Sequence, residues 1–273
     1  RRQRQMCIRD RLTSTQLSAA RHETNQYLYT VGNETDSNRV HAYRISASGA
    51  LSELDQSPFA TGGKGNGIPP FSANGLVLSR DGRYLYAVNH SSNDLSVFRI
   101  GQDGNLRPIP GSPFATGGTF PASIAVNEDY IYISHLGPNA AGLTNQCTAC
   151  DIRGYRRLGN GAIRAIPEAV YDLNSAPFTF PTSMEFTPKG DVLILNRFAF
   201  GELEADTPET YVYRLQERTG LLEAAPGSPF VLRPGSNRPI DFTFNPNNDS
   251  QMYMTTGVSS VFPLLPGVMA SYL

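Results

Sequence analysis

The 273 residues carry 23 Lys and Arg against 24 Asp and Glu, a formal net charge of −1, which leaves no electrostatic basis for binding nucleic acid. No apolar run reaches the roughly 18 residues of a transmembrane helix, so no membrane-spanning segment is expected. With 25 Gly, 20 Pro and 40% hydrophobic residues, the composition fits a turn-rich β protein with a real core.

Residues 1–26 stand apart. Arg1 to Arg11 is basic, and Met6 to Asp10 reads as a translated adapter sequence, so this stretch is taken as non-native or disordered. Residues 27–273 read as one repeating β domain. Tyr27 to Val31 and Arg39 to Ile45 are the first expected strands. Gly75 to Asn89 then holds two runs around the turn Arg80-Asp81-Gly82-Arg83, followed by Leu95 to Ile100, the turn Gly101-Gln102-Asp103-Gly104 and Leu106. A third repeat places strands at Ala122–Val126, Tyr130–His135, Ile152–Arg157 and Ile163–Ile166. A fourth uses Ser183–Phe186, Val192–Asn196, Thr210–Leu215 and Leu221–Ala224. A fifth begins at Asp241–Phe244 and Met252–Thr256 and continues from Val268.

One phrase punctuates these repeats. Ser57-Pro58-Phe59-Ala60-Thr61-Gly62-Gly63 returns verbatim at Ser112 to Gly118, and in part at Ala176-Pro177-Phe178 and Ser228-Pro229-Phe230. Its prolines recur at intervals of 55, 64 and 52 residues, a propeller-like period. No segment sustains a 3.6-residue apolar period, which argues against a helical solenoid. The expected fold is all-β, a propeller of four-stranded antiparallel blades with eighteen strands. The chain enters at a second strand and leaves inside a third, so the blades are expected to form an open arc.

The phrase at Ser112 to Gly118, together with Tyr84-Leu-Tyr-Ala-Val-Asn89 and Asn93-Asp-Leu-Ser-Val-Phe98, resembles the lactonase-type seven-bladed β-propellers. That family includes 6-phosphogluconolactonases and carboxymuconate cyclases. The resemblance implies that about five of seven blades are present, two of them partial. It also implies hydrolysis of a sugar lactone or a similar small anionic ring, with no cofactor. In those enzymes a Pro-His pair opens an inner strand and its His takes part in catalysis. Here the corresponding pairs are Pro70-Phe71, Pro121-Ala122, Pro181-Thr182 and Pro239-Ile240, none with His.

Candidate function concentrates on the face carrying the turns between second and third strands. Two of those connections are long, Leu136 to Asp151 and Arg197 to Glu209, and long loops in compact domains are often functional. His90, His135 and Arg197 are the candidate catalytic residues, as proton carriers and an anion clamp. Lys64, Asn89, Asn196 and Arg238 are candidate ligand contacts. Cys147-Thr-Ala-Cys150 lacks the further ligands of a metal site and is expected to form a local disulfide, which would place the protein outside the cytoplasm. The alternative reading is a non-catalytic binding propeller of the cell envelope or a secreted one.

Overall fold

The alternating aromatic and β-branched runs become strands, and the glycine turns between them become hairpins. The computed structural model of the protein describes residues 26–67, 73–138, 149–173, 179–199, 208–231, 238–245, 248–257 and 268–272. These residues form five antiparallel sheets and no helix. The first holds β1 (Gln26–Val31), β2 (Arg39–Ile45) and β3 (Leu51–Glu53), with β4 (Phe59–Ala60) also on β2. In the second, β5 (Leu76–Leu78), β6 (Tyr84–Asn89), β7 (Asp94–Ile100) and β8 (Leu106–Pro108) run in order, with β9 (Phe114–Ala115) on β7. The third is β10 (Pro121–Val126), β11 (Tyr130–His135), β12 (Asp151–Arg157) and β13 (Ile163–Asp172). The fourth is β14 (Thr179–Phe186), β15 (Val192–Ala199), β16 (Glu209–Gln216) and β17 (Leu221–Ala224), with β18 (Phe230–Val231) on β16. The fifth is β19 (Arg238–Asn245), β20 (Asn248–Gly257) and β21 (Val268–Tyr272). The sheets follow one another as the blades of an open propeller arc.

The eighteen expected strands are present, and three more come from the repeated phrase. Each of its Ser-Pro bonds, at Pro58, Pro113 and Pro229, is cis. Each serine hydroxyl accepts a backbone N–H from the third strand of its own blade: Ala42 to Ser57 at 3.0 Å, Val97 to Ser112 at 2.9 Å and Val212 to Ser228 at 2.9 Å. The chain then turns, and the next two residues pair with the start of that same strand as β4, β9 or β18. The phrase is therefore a clamp that closes the outer edge of a blade. The third blade lacks the serine. There β13 carries on past a register shift and pairs again at Val170 to Asp172, doing the same work with a longer strand.

The core lies in the seams between blades, which is why central strands such as β6 and β11 are buried along their whole length. Tyr84, Tyr86 and Val88 pack toward Ile124, Ile131 and Ile133 of the third blade, while Leu85 and Ala87 pack toward Val40 of the first. Tyr130 and Tyr132 meet Met184, Phe186 and Leu193 of the fourth. A second device locks these seams. A Tyr-x-Tyr pair on the second strand reaches the hairpin between third and fourth strands of the next blade. Tyr29 donates to Gly104 O at 2.8 Å, Tyr84 to Gly159 O at 3.2 Å, Tyr130 to Glu217 O at 2.7 Å and Tyr132 to Gly220 O at 2.6 Å. In the fourth blade Val192 and Ile194 hold those places and pack with Phe242 and Met254, and the hydrogen bond described at this seam is instead Thr182 Oγ1–H to Pro239 O at 3.1 Å.

Candidate functional site

The predicted residues fall at equivalent places in successive blades. Asn89 and His135 end their second strands, Arg197 lies two residues before the end of β15, and each stands opposite the acidic residue that opens the third strand: Asp94, Asp151 and Glu209. All three are paired there. Asn89 Nδ2 donates to Asp94 Oδ1 at 2.5 Å, His135 Nδ1 stands 2.7 Å from Asp151 Oδ1, and Arg197 Nη2 lies 2.5 Å from Glu209 Oε2. Arg197 also donates to Leu173 O at 2.9 Å and stacks its guanidinium over Tyr211. The second glycine of the repeated phrase exists for this corner. A Cβ at Gly63 would lie 2.4 Å from the Asn89 side chain, and one at Gly118 the same distance from the His135 ring. The clamp of one blade thus covers the corner side chain of the next.

Burial pushes the fully buried His135 down, against the opposite pull of Asp151. Burial raises the Asp151 carboxyl, but His135 and Arg153 outweigh it and hold it below the usual carboxylate range. His90 follows Asn89 and is buried too. Its Nδ1 lies 2.6 Å from Pro121 O, so that nitrogen carries the hydrogen, and its ring stacks on Phe120 at 5.1 Å. Burial holds the imidazole neutral, more strongly than the Pro121 carbonyl favours its charge. Asn196 accepts from Thr210 at 2.9 Å. Lys64 is exposed, and its backbone ties to Ser91 and Ser92 of the next blade. Arg238 opens β19 opposite Gly257, and its side chain lies outside the described residues. Cys150 is buried and disulfide-bonded. Cys147 and residues 139–148 and 200–207 of the two long loops lie outside the described residues. No described contact joins His90, His135 and Arg197 to one another.

A different set of residues converges on the axis. Inner strands β5, β10, β14 and β19 border a cavity of about 490 Å³ at the end where first strands turn into second strands. Ala73 N–H donates to Thr182 O at 2.8 Å and Asn74 Nδ2 to Met184 O at 3.2 Å, so the second and fourth blades meet across the third. Apolar walls come from Val77, Ile124, Val126, Phe186 and Phe244, and the charged lining from Arg80 and Glu185. Arg80 is anchored by an Nη2–H bond to Thr187 O at 2.8 Å. Burial, and after it the charge of Asp241, pushes Glu185 up to about 7, with Arg80 pulling the other way. Asp241 is itself raised by burial, against the bond it accepts from Phe242 N–H. A carboxyl poised near neutrality in an apolar-walled cavity, facing a guanidinium, can take and return a proton next to a bound anion or oxyanion. Sequence reasoning passed over Glu185 because Ser-Met-Glu-Phe reads as an ordinary alternating strand with the carboxylate in solvent. No group of His, Cys, Asp or Glu suited to a metal ion occurs among the described residues.

Residues 18–137 match the family described as Lactonase, 7-bladed beta-propeller. The resemblance carried by Ser112 to Gly118 and by Tyr84 to Asn89 therefore holds over that segment. A Lactobacillus plantarum protein superposes with a TM-score of 0.59 at 15% identity, over 89% of this chain and 67% of its own. The periplasmic gluconolactonase of Pseudomonas aeruginosa gives 0.58 at 15% identity, over 90% of this chain and 67% of its own. A protein from Desulfotomaculum acetoxidans gives 0.52 at 16% identity, over 90% of this chain and 71% of its own. At these identities the likeness is one of fold. No curated protein sequence matches the chain. No helix among the described residues is long and apolar enough to cross a membrane.

Proposed function

We propose that this lactonase-type propeller hydrolyses a small lactone, a sugar lactone or a similar anionic ring, in the axial cavity. Glu185 acts as the proton carrier and Arg80 as the electrostatic clamp. The observation that carries the reading is a carboxyl held at about 7 in the cavity that Arg80 also lines. The family match and the fold shared with a gluconolactonase support the reaction class.

The chemistry requires only water. Glu185 carboxylate takes a proton from a water molecule as its oxygen bonds to the lactone carbonyl carbon. The carbonyl π pair moves onto oxygen, and the Arg80 guanidinium offsets that charge. The oxyanion collapses, the ring C–O bond breaks, and Glu185 returns the proton to the leaving ring oxygen. The product is the hydroxy acid, and Glu185 is again a carboxylate. A base with a pKa near the working pH combines a useful ionised fraction with a useful basicity. Asn89, His135 and Arg197 act at the blade corners in this account, holding second and third strands together. The disulfide at Cys150 supports a location outside the cytoplasm, where such bonds persist.

A pH-stat assay over a panel of five- and six-membered lactones tests the proposal. Ring opening above the spontaneous rate for at least one lactone is expected. Rates at the spontaneous level across the whole panel contradict it.

A further inference from the structure

Arg80 reaches the axial cavity from the turn between β5 and β6, yet what holds it there belongs to other blades. The corresponding turn of the fourth blade, Thr187-Pro188-Lys189-Gly190 between β14 and β15, closes through Gly190 N–H on Thr187 O at 2.7 Å. Pro188 fixes one φ of that turn. Thr187 Oγ1 accepts Val192 N–H at 3.3 Å and donates to Asp191 Oδ1 at 2.9 Å, so the hairpin is tied internally. Arg80 comes to it across the third blade and donates from Nη2 to Thr187 O at 2.8 Å. Its guanidinium then lies on Gly190. A Cβ at Gly190, where φ is +81°, would stand 3.2 Å from Arg80 Nη2 and 3.4 Å from both Cζ and Nη1.

That contact sets Gly190 apart from the matching glycine of the second blade. Gly82 closes its own turn on Ser79 O at 2.8 Å with φ +66°, and a Cβ there would meet nothing within 4 Å. Gly82 is needed for its backbone angle alone. Gly190 is needed for its angle and for the room the guanidinium occupies. The third blade supplies a further support. Asn127, buried in the turn between β10 and β11, donates from Nδ2 to Gly190 O at 3.0 Å. Its Oδ1 meanwhile accepts Asp129 N–H at 3.0 Å and Tyr130 N–H at 2.7 Å. Arg80 is exposed, and an exposed arginine without a seat spreads over many rotamers. It also borders a second cavity of about 280 Å³, with Asn127 and Gly190, so a guanidinium pushed off the hairpin has space to enter.

We propose that the first hairpin of the fourth blade is the seat of the Arg80 clamp, with Gly190 and Asn127 as its positioning residues. The inference rests on the role of Arg80 in lactone opening given above. Neither residue touches a reacting atom. Gly190 gives the guanidinium a flat backing, and Asn127 fastens the turn that bears it to the third blade. Turns from three successive blades thus fix where the charge on the carbonyl oxygen is met. An oxyanion donor works only when it is held in place before the charge develops, and a displacement of about 1 Å costs on the order of 100-fold.

The test uses the full chain and the variants Gly190→Ala, Asn127→Asp, Gly49→Ala and Arg80→Ala. Gly49 has φ +83° and nothing within 4 Å of a Cβ, so Gly49→Ala carries the backbone cost alone. Asn127→Asp keeps the acceptor for Asp129 and Tyr130 N–H and removes the donor to Gly190 O. For a lactone that the protein opens, kcat/KM is expected to fall roughly tenfold or more in Gly190→Ala and Asn127→Asp and to hold in Gly49→Ala. In the Arg80→Ala background, Gly190→Ala should cost nothing further, because the side chain it displaces is gone. Equal losses in the two backgrounds mean a merely structural glycine and overturn the inference. Nitrogen NMR of the Arg80 Nε–H group, assigned by its loss in Arg80→Ala, reads the seat without substrate. The wild-type signal should be dispersed, with slowed guanidinium rotation, and should collapse to the free-arginine position in Gly190→Ala and Asn127→Asp. A signal already at that position in the wild type, or unmoved by both substitutions, overturns the inference whatever the activity. A signal that moves as expected, in a protein that opens no lactone or is as active with Arg80→Ala, contradicts the catalytic reading of Arg80 and leaves its seat in place.

Discussion

Replacing Gly161 by Ala tests whether the seams between blades are held as described. Gly161 has φ +86°, and a Cβ there would lie 2.4 Å from Cδ1 of the Tyr84 ring. Tyr84 is buried and donates to Gly159 O at 3.2 Å, so its ring has no free space to enter. Left-handed backbone at a non-glycine residue costs about 1–2 kcal/mol. Forcing the ring aside adds roughly 1–3 kcal/mol of overpacking and about 1 kcal/mol for the lost hydrogen bond. The sum is about 3–6 kcal/mol, which lowers Tm by at least about 6 °C in a domain of this size. Two controls separate the causes. Gly49 has φ +83° with nothing within 4 Å, so Gly49→Ala carries only the backbone cost. Gly159 has neither the left-handed φ nor a neighbour, so Gly159→Ala should be close to neutral. In a double-mutant cycle with Tyr84→Ala, the cost of Gly161→Ala should fall to that of Gly49→Ala. Calorimetry reads all of these. Equal losses for Gly161→Ala and Gly49→Ala, or no coupling to Tyr84, refute the seam argument.

Ser112→Ala removes the acceptor for Val97 N–H, a donor on a fully buried residue, and should lower the urea-unfolding free energy by about 1–3 kcal/mol. Arg197→Ala strands Glu209 in a buried ion pair, and a stability loss of about 3–5 kcal/mol is expected, with kcat per folded molecule retained; a selective loss of kcat in a fully stable variant contradicts the corner role. Stability should also bend with pH in two places. Glu185 keeps its proton to about 7 when folded but releases it near 4.5 when unfolded, so its contribution is full below 4.5 and declines as pH rises through 7. Glu185→Gln should flatten that limb in denaturation midpoints measured from pH 4 to 9. His135 is held neutral by burial, so its contribution is lost as pH falls below about 6.5, where the unfolded chain takes up a proton.

The blades were legible because their devices are local in sequence. The hairpin glycines, the Tyr-x-Tyr strands and the repeated Ser-Pro-Phe phrase all act through the residues that spell them. The strands inside the phrase were not legible, since two residues after a proline carry no period. They form because a serine hydroxyl holds the turn against a strand already in place. Asn89 and His135 close their second strands, and Arg197 lies two residues before the end of β15. Their partners were not seen, because Asp94, Asp151 and Glu209 reach them only through the register of the sheet. Nothing local marks Glu185 as buried. Its environment comes from Arg80, Asp241 and the apolar walls, contributed by four blades, and only convergence on the axis brings them together.

If Glu185 exchanges the proton in lactone hydrolysis, the pH profile of kcat/KM must follow its titration. For a lactone that the protein opens, the rate is expected to rise with pH through about 7 to a plateau. Glu185→Gln, folded to the same Tm or higher, should lose roughly 10²-fold or more on that plateau. A Glu185→Gln protein that hydrolyses the same lactone at the wild-type rate, with the same midpoint, contradicts it.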